Sequence, residues 1–196
     1  MFVELAEYLL CAGDHEETYL VMTPDAVENR AVVEGTVGCP RCRREFPIHR
    51  GLVDFAPEVP FTPPPDATGV TAETIRALIG LTGPGGYAVL IGSAGSLAPA
   101  LAGLIDGVHL VVVNPPASLD TASGVSRLRG QGRIPLRAST ARAVVVGAEH
   151  AQKPWLDDAC RVLLRGLRLV VLTEDPGPVG AKVLAAGDGM WVGQKA

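Results

Sequence analysis

No apolar run in this 196-residue chain approaches the length of a membrane span; runs such as Leu110 to Val113 and Leu167 to Leu172 are strand-sized. A basic excess is missing too. Seventeen Lys and Arg stand against 21 Asp and Glu, and the net charge of -4 excludes a nucleic-acid footprint spread over the whole protein. Met1-Phe2-Val3-Glu4 begins an acidic amphipathic segment, so no secretory leader is expected. The expectation is a cytoplasmic protein with reduced thiols and no membrane association. Several nucleotide and hydrolase signatures are absent as well. There is no Gly-x4-Gly-Lys-Ser/Thr phosphate loop, and Gly92-Ser93-Ala94-Gly95 is not Gly-x-Gly-x-x-Gly. Ile91 and Ala94, two residues before Ser93 and Ser96, exclude a Gly-x-Ser-x-Gly elbow.

Cysteine is scarce, with four residues in all, but three of them fall into a pattern. Cys39-Pro40-Arg41-Cys42 is a Cys-x2-Cys knuckle that lets two thiolates grip one ion from a tight turn, and Cys11-x3-His15 offers a second, looser grip. Cys11, His15, Cys39 and Cys42 together make a closed tetrahedral zinc set, which builds structure and leaves no open position for catalysis. Three cysteines and a water are the alternative. Cys160, in an apolar stretch, reads as a small buried hydrophobe.

The chain is 47% hydrophobic, enough to bury a substantial core. Five prolines between Phe55 and Asp66 forbid a continuing helix or central strand, and such a run is semi-extended polyproline II. The expected organisation is a small zinc unit at 1–55, a proline-rich linker at 56–69 and a larger unit at 70–196. After the linker, helices are expected at Thr71 to Leu81, Leu97 to Ile105, Ser118 to Leu128 and Pro154 to Leu164. Strands are expected at Tyr87 to Ile91, His109 to Val113, Ile134 to Ala138, Ala143 to Val146 and Leu167 to Thr173. Lys182 to Ala186 and Met190 to Gly193 form a closing hairpin. Apolar strands interleaved with helices mean an α/β fold, a doubly wound, Rossmann-like, mostly parallel sheet with an antiparallel C-terminal hairpin. Ligands bind such sheets at the carboxyl ends of the strands, here at the glycine-rich turn after Ile91.

Residues 39–55, with Phe46-Pro47-Ile48 and Gly51-Leu52-Val53 after the knuckle, resemble the second half of a Trm112-like zinc domain, with Cys11-x3-His15 in place of its first knuckle. Residues 70–196 resemble a class I S-adenosylmethionine-dependent methyltransferase domain, in element order, in Arg165-Gly166 before the strand at Leu167, and in the Gly187-Asp188-Gly189-Met190-Trp191 hairpin. The resemblance implies cofactor contacts at Gly92, Ser93, Ala94, Gly95 and Asn114. It also shows erosion. Leu90 replaces the family's acid in the first strand, Ala94 and Ser96 replace glycines, and Asn114 replaces the ribose-binding acid. The expectation is therefore a zinc-binding, catalytically degenerate scaffold or regulatory subunit with a protein partner or a second copy of itself. An active methyltransferase with a divergent pocket is the alternative, with Glu149 and His150 as its one acid–base pair. A third reading is an RNA- or ribosome-associated zinc module using Arg41, Arg43, Arg44 and Arg50, although no stacking aromatics accompany those arginines.

Overall fold

The computed structural model describes residues 1–196. Strands without polar alternation need apolar cover on both faces. In the second half of the chain they have it: all of β5 (Tyr87–Ile91), four of five residues in β6 (His109–Val113) and five of six in β8 (Ala141–Val146) are buried. Their side chains alternate between two cores. Val89, Ile91, Val111, Val113, Val144 and Val146 enter one, while Leu90, Leu110, Val112, Ala143 and Val145 enter the other. Helices α1 (Ala72–Ile79) and α2 (Ala98–Ala102) cover the second core. Helix α1 starts where the Thr71 hydroxyl accepts the Thr74 amide and stops at Gly80 in the left-handed conformation, φ 60°. The first core is covered by α3 (Trp155–Val162) and by Leu5 and Leu9, in and after a 3-10 helix at Val3–Tyr8.

One eleven-stranded sheet runs through the molecule. Its remaining strands are β1 (Val21–Glu28), β2 (Ala31–Gly38), β3 (Glu45–His49), β4 (Leu52–Asp54), β7 (Val125–Arg129), β9 (Leu163–Val171), β10 (Lys182–Gly187) and β11 (Met190–Gln194). The order is β1-β2-β3-β4-β7-β6-β5-β8-β9-β11-β10. Strands β4 to β9 are parallel to one another, and antiparallel ribbons flank them on both sides. The sequence runs outward from β5 in opposite directions, through β6 to β7 and then back through β8 to β9, so β5 marks the switch point.

The segments on either side of the proline run meet in a strand pair, with Leu52, Val53 and Asp54 opposite Arg127, Leu128 and Arg129. Val32, Val37, Phe46, Ile48 and Val53 share one core with Val111 and Leu128. Residues 1–55 and 70–196 therefore share a sheet and a core.

Three local expectations are corrected. Ser118 to Leu128 is not helical: Pro115, Pro116 and Gly124 break the backbone, and Val125–Arg129 pairs as β7, with Ser126 and Leu128 turned inward. Ile134 to Ala138 joins no ladder. Its Pro135 carbonyl and Arg137 amide instead bond Leu10 and Tyr8 of the N-terminal segment, at 3.1 and 2.9 Å. The Leu97 to Ile105 helix is shorter than expected: only Ala98–Ala102 is α-helical (α2), preceded by a 3-10 turn at Gly92–Leu97. No helix is long and apolar enough to cross a membrane.

Candidate functional site

The metal-ligand candidates come together at the end of β2 and the start of the chain. The knuckle is a turn closed by Arg43 N to Cys39 O and Cys39 N to Arg44 O, each 2.9 Å, with Arg43 at φ 58°. The donor atoms of Cys11, His15, Cys39 and Cys42 lie within 4.8 Å of one another. Zinc bonds of ~2.3 Å to sulfur and ~2.0 Å to nitrogen give tetrahedron edges of roughly 3.8 Å (S to S) and 3.5 Å (S to N). The chain holds Cys11 Sγ 3.7 Å from Cys42 Sγ and Cys39 Sγ 3.4 Å from His15 Nε2. The residues fit zinc. His15 Nδ1 sits 2.7 Å from the Glu16 carbonyl, and an N–H donated there leaves Nε2 free for an ion. Amides of Gly13 and Cys42 donate to Cys11 and Cys39 sulfurs at 3.3 and 3.5 Å. The Arg44 amide leads in lowering the Cys42 thiol to about 6, whereas burial pushes Cys11 up to about 11.

The second site lies at the carboxyl ends of β5, β6 and β8. Gly92, Ser93, Ala94, Gly95 and Asn114 are all buried there. The Glu149 carboxylate, arriving from the turn after β8, covers the glycine-rich loop. It accepts the Ser93 amide at 2.6 Å and the Ser93 hydroxyl at 2.8 Å. A β-carbon on Gly92 would lie 1.9 Å from its Oε1, and one on Gly147 would lie 2.3 Å from Ser93 Oγ. The two glycines make room for this closure. Burial raises the Glu149 carboxyl, but hydrogen bonds from His150, the Ser93 and Glu149 amides and the Ser93 hydroxyl outweigh it and hold the group at about 2.

A relay continues outward. Glu149 Oε1 is 3.1 Å from His150 Nδ1, and His150 Nε2 is 3.3 Å from Asn114 Nδ2. Asn114 Oδ1 accepts the Gly130 amide at 3.0 Å. An Nδ1–H donated to Glu149 leaves Nε2 as the acceptor of the Asn114 amide. Asn114 itself takes φ 55°, and Trp155 packs edge-on to His150 with ring centroids 4.8 Å apart.

The proline-rich segment is the wall of this site. Phe61, Pro63 to Pro65, Asn114, Gln131, His150 and Trp155 surround a crevice of about 520 Å³. Arg129 latches one end of the strap through Asp54 Oδ2 at 2.7 Å, the Val59 carbonyl, and the Phe61 ring, 5.0 Å from its guanidinium carbon. Ser96 Oγ accepts the Ala67 amide at 3.0 Å, and Ser118 donates to Asp66. Sequence reasoning finds neither the latch nor the closure by Glu149. The glycines at 92 and 147 are the closure's one local signal.

The basic cluster is diluted by acids. Arg41 pairs with Glu16 at 2.7 Å, His49 and the Arg50 amide both bond Glu34, and Arg43 and Arg44 line a groove shared with Asp25 and Glu45.

No family model matches the chain, and no curated protein matches it. Solved structures do. A SAM-dependent methyltransferase from Aquifex aeolicus matches at 16% identity and TM-score 0.45, over 62% of this chain and 87% of that one. A geranyl diphosphate C-methyltransferase from Streptomyces coelicolor A3(2) matches at 19% and 0.42, over 51% and 42%. The complex of the Haloferax volcanii Trm112 methyltransferase activator with a protein taken to be a methyltransferase matches at 18% and 0.42, over 52% and 50%. Against the last two, this chain spans half or less of the other's length. What is common to these neighbours is a methyltransferase-like fold.

Proposed function

We propose that this chain is a zinc-binding, methyltransferase-like protein that no longer binds S-adenosylmethionine and serves as a scaffold or regulatory subunit for a protein partner. One observation carries the reading: Glu149 sits on the Ser93 amide and fills the space above Gly92. A cofactor entering there needs the amides of this turn for its methionine end, and it would bring a second carboxylate against the first. Repulsion and lost space act together. Leu90 adds to this, since its side chain is buried in the second core and offers no acceptor to an ammonium group. Zinc, held by Cys11, His15, Cys39 and Cys42, would fix the knuckle between β2 and β3 and has no open position for chemistry.

The test is calorimetric titration of the zinc-loaded protein with S-adenosylmethionine and S-adenosylhomocysteine. No heat is expected up to millimolar ligand. A micromolar Kd would overturn the reading and favour an active enzyme with His150 in the crevice. Glu149→Ala, which empties the space above Gly92, is expected to gain S-adenosylhomocysteine binding if the carboxylate is the main obstacle.

A further inference from the structure

The open sheet ends in two unlike edges. Strand β1 is blunted: Pro24 has no amide to offer, Asp25 and Glu28 are charged, and the pairing with β2 shifts register twice. Its exposed Val21 and Val27 are separated by these features. Strand β10 has less protection, one register shift between Val183 and Ala185 and a single charged residue, Lys182, at its start. All six of its residues are exposed, and Val183 and Leu184 remain 57% and 45% accessible. An exposed, apolar, unpaired edge is a template for another strand.

The charges say which strand. Lys182 begins β10, and Asp188 follows its last residue at the hairpin tip; nothing charged lies between them. Antiparallel pairing of β10 with a copy of itself brings Lys182 of one chain against the Gly187-Asp188 end of the other, twice, about a two-fold axis. A two-fold interface must be self-complementary, and this edge is. We propose that β10 is the contact through which two copies of this chain join, continuing one sheet across the dimer. A pair of six-residue strands buries less than the ~1,200–2,000 Å² of a standard stable interface, so the dimer is weak and concentration-dependent. The inference rests on the edge alone and stands whether or not the cofactor site is closed.

Sedimentation velocity on the full, zinc-loaded chain from micromolar to millimolar concentration tests it. The mass is expected to rise from monomer to dimer, and Val183→Asp/Leu184→Asp to stay monomeric with an unchanged melting temperature. Lys182→Glu and Asp188→Lys should each weaken self-association at least tenfold, because each places like charges together. An equimolar mixture of these two variants should form heterodimers, because both contacts then pair opposite charges; the heterodimer also shows that each variant is folded. A wild-type protein monomeric throughout, a larger oligomer, a dimer that survives the double Asp variant, or a mixture no tighter than its components would each overturn the proposal.

Discussion

Replacing Glu149 by Gln removes a charge while keeping a side chain of the same shape. Its effect can be sized from the structure. Lowering this carboxyl from 4.5 to about 2 amounts to ~3.4 kcal/mol at about 1.36 kcal/mol per pKa unit. The side chain keeps 31% of its exposure, and solvent screening brings the usable figure to roughly 2 kcal/mol. For a chain of this size that is a fall in melting temperature of about 4–8 °C at pH 7. The sign with pH follows from the direction of the shift. A carboxyl held low in the fold stabilises it fully above 4.5, and the contribution is lost as pH falls from 4.5 towards 2. Calorimetric melts of the wild type and Glu149→Gln should therefore differ at pH 7 and close on one another as pH falls towards 2. The difference between the two proteins cancels the other carboxylates that titrate in that range. Melts within about 1 °C at pH 7, or a gap that persists undiminished at low pH, would refute the hydrogen-bonded carboxylate as a stabilising closure.

Arg129→Ala should destabilise the chain by about 3 kcal/mol by leaving Asp54 unpaired in a half-buried site, and should raise hydrogen exchange across residues 59–67 selectively. Leu128→Ala, at a fully buried position where β7 receives β4, should cost about 2–5 kcal/mol in denaturant unfolding. If the shared core makes the chain one cooperative unit, zinc release and loss of the C-terminal sheet will coincide in that experiment. Cys39→Ser should abolish stoichiometric zinc in elemental analysis, whereas His15→Ala, which leaves three thiolates, should keep the metal with weaker affinity.

What could be read from the sequence is what local chemistry determines. Tyr87–Ile91 and His109–Val113 are strands because five consecutive β-type positions, mostly apolar, admit few other packings, and their bounds coincide with the expectation. Cys11, His15, Cys39 and Cys42 meet because ligand spacing encodes a turn geometry. Strand β7 is different. Nothing in Val125-Ser126-Arg127-Leu128-Arg129 demands a strand; the slot between β4 and β6 does, and β4 lies over seventy residues away. The closure by Glu149 joins residues 56 apart in sequence, so no window reaches it. Five prolines fix the stiffness of the 56–67 segment without saying what it lies against.

The position of that segment follows from topology. Strand β4 pairs in parallel with β7, so Asp54 ends beside Arg129, at the same edge of the sheet as the carboxyl ends of β5, β6 and β8. The next element, α1, packs on the second core, and from it the chain enters β5. Residues 55–71 must then travel from β4 across the carboxyl edge, and a stiff, proline-rich path keeps them extended as they go. The crevice beside Asn114 and His150 is walled because the segment carrying the Cys/His cluster is joined to β7 in cis and in parallel. Had β4 paired antiparallel, the strap would begin at the opposite edge of the sheet. The Asp54–Arg129 pair is thus both the last contact of the sheet extension and the first latch of the strap, and attaching the N-terminal segment and walling the carboxyl edge of the sheet are one structural event.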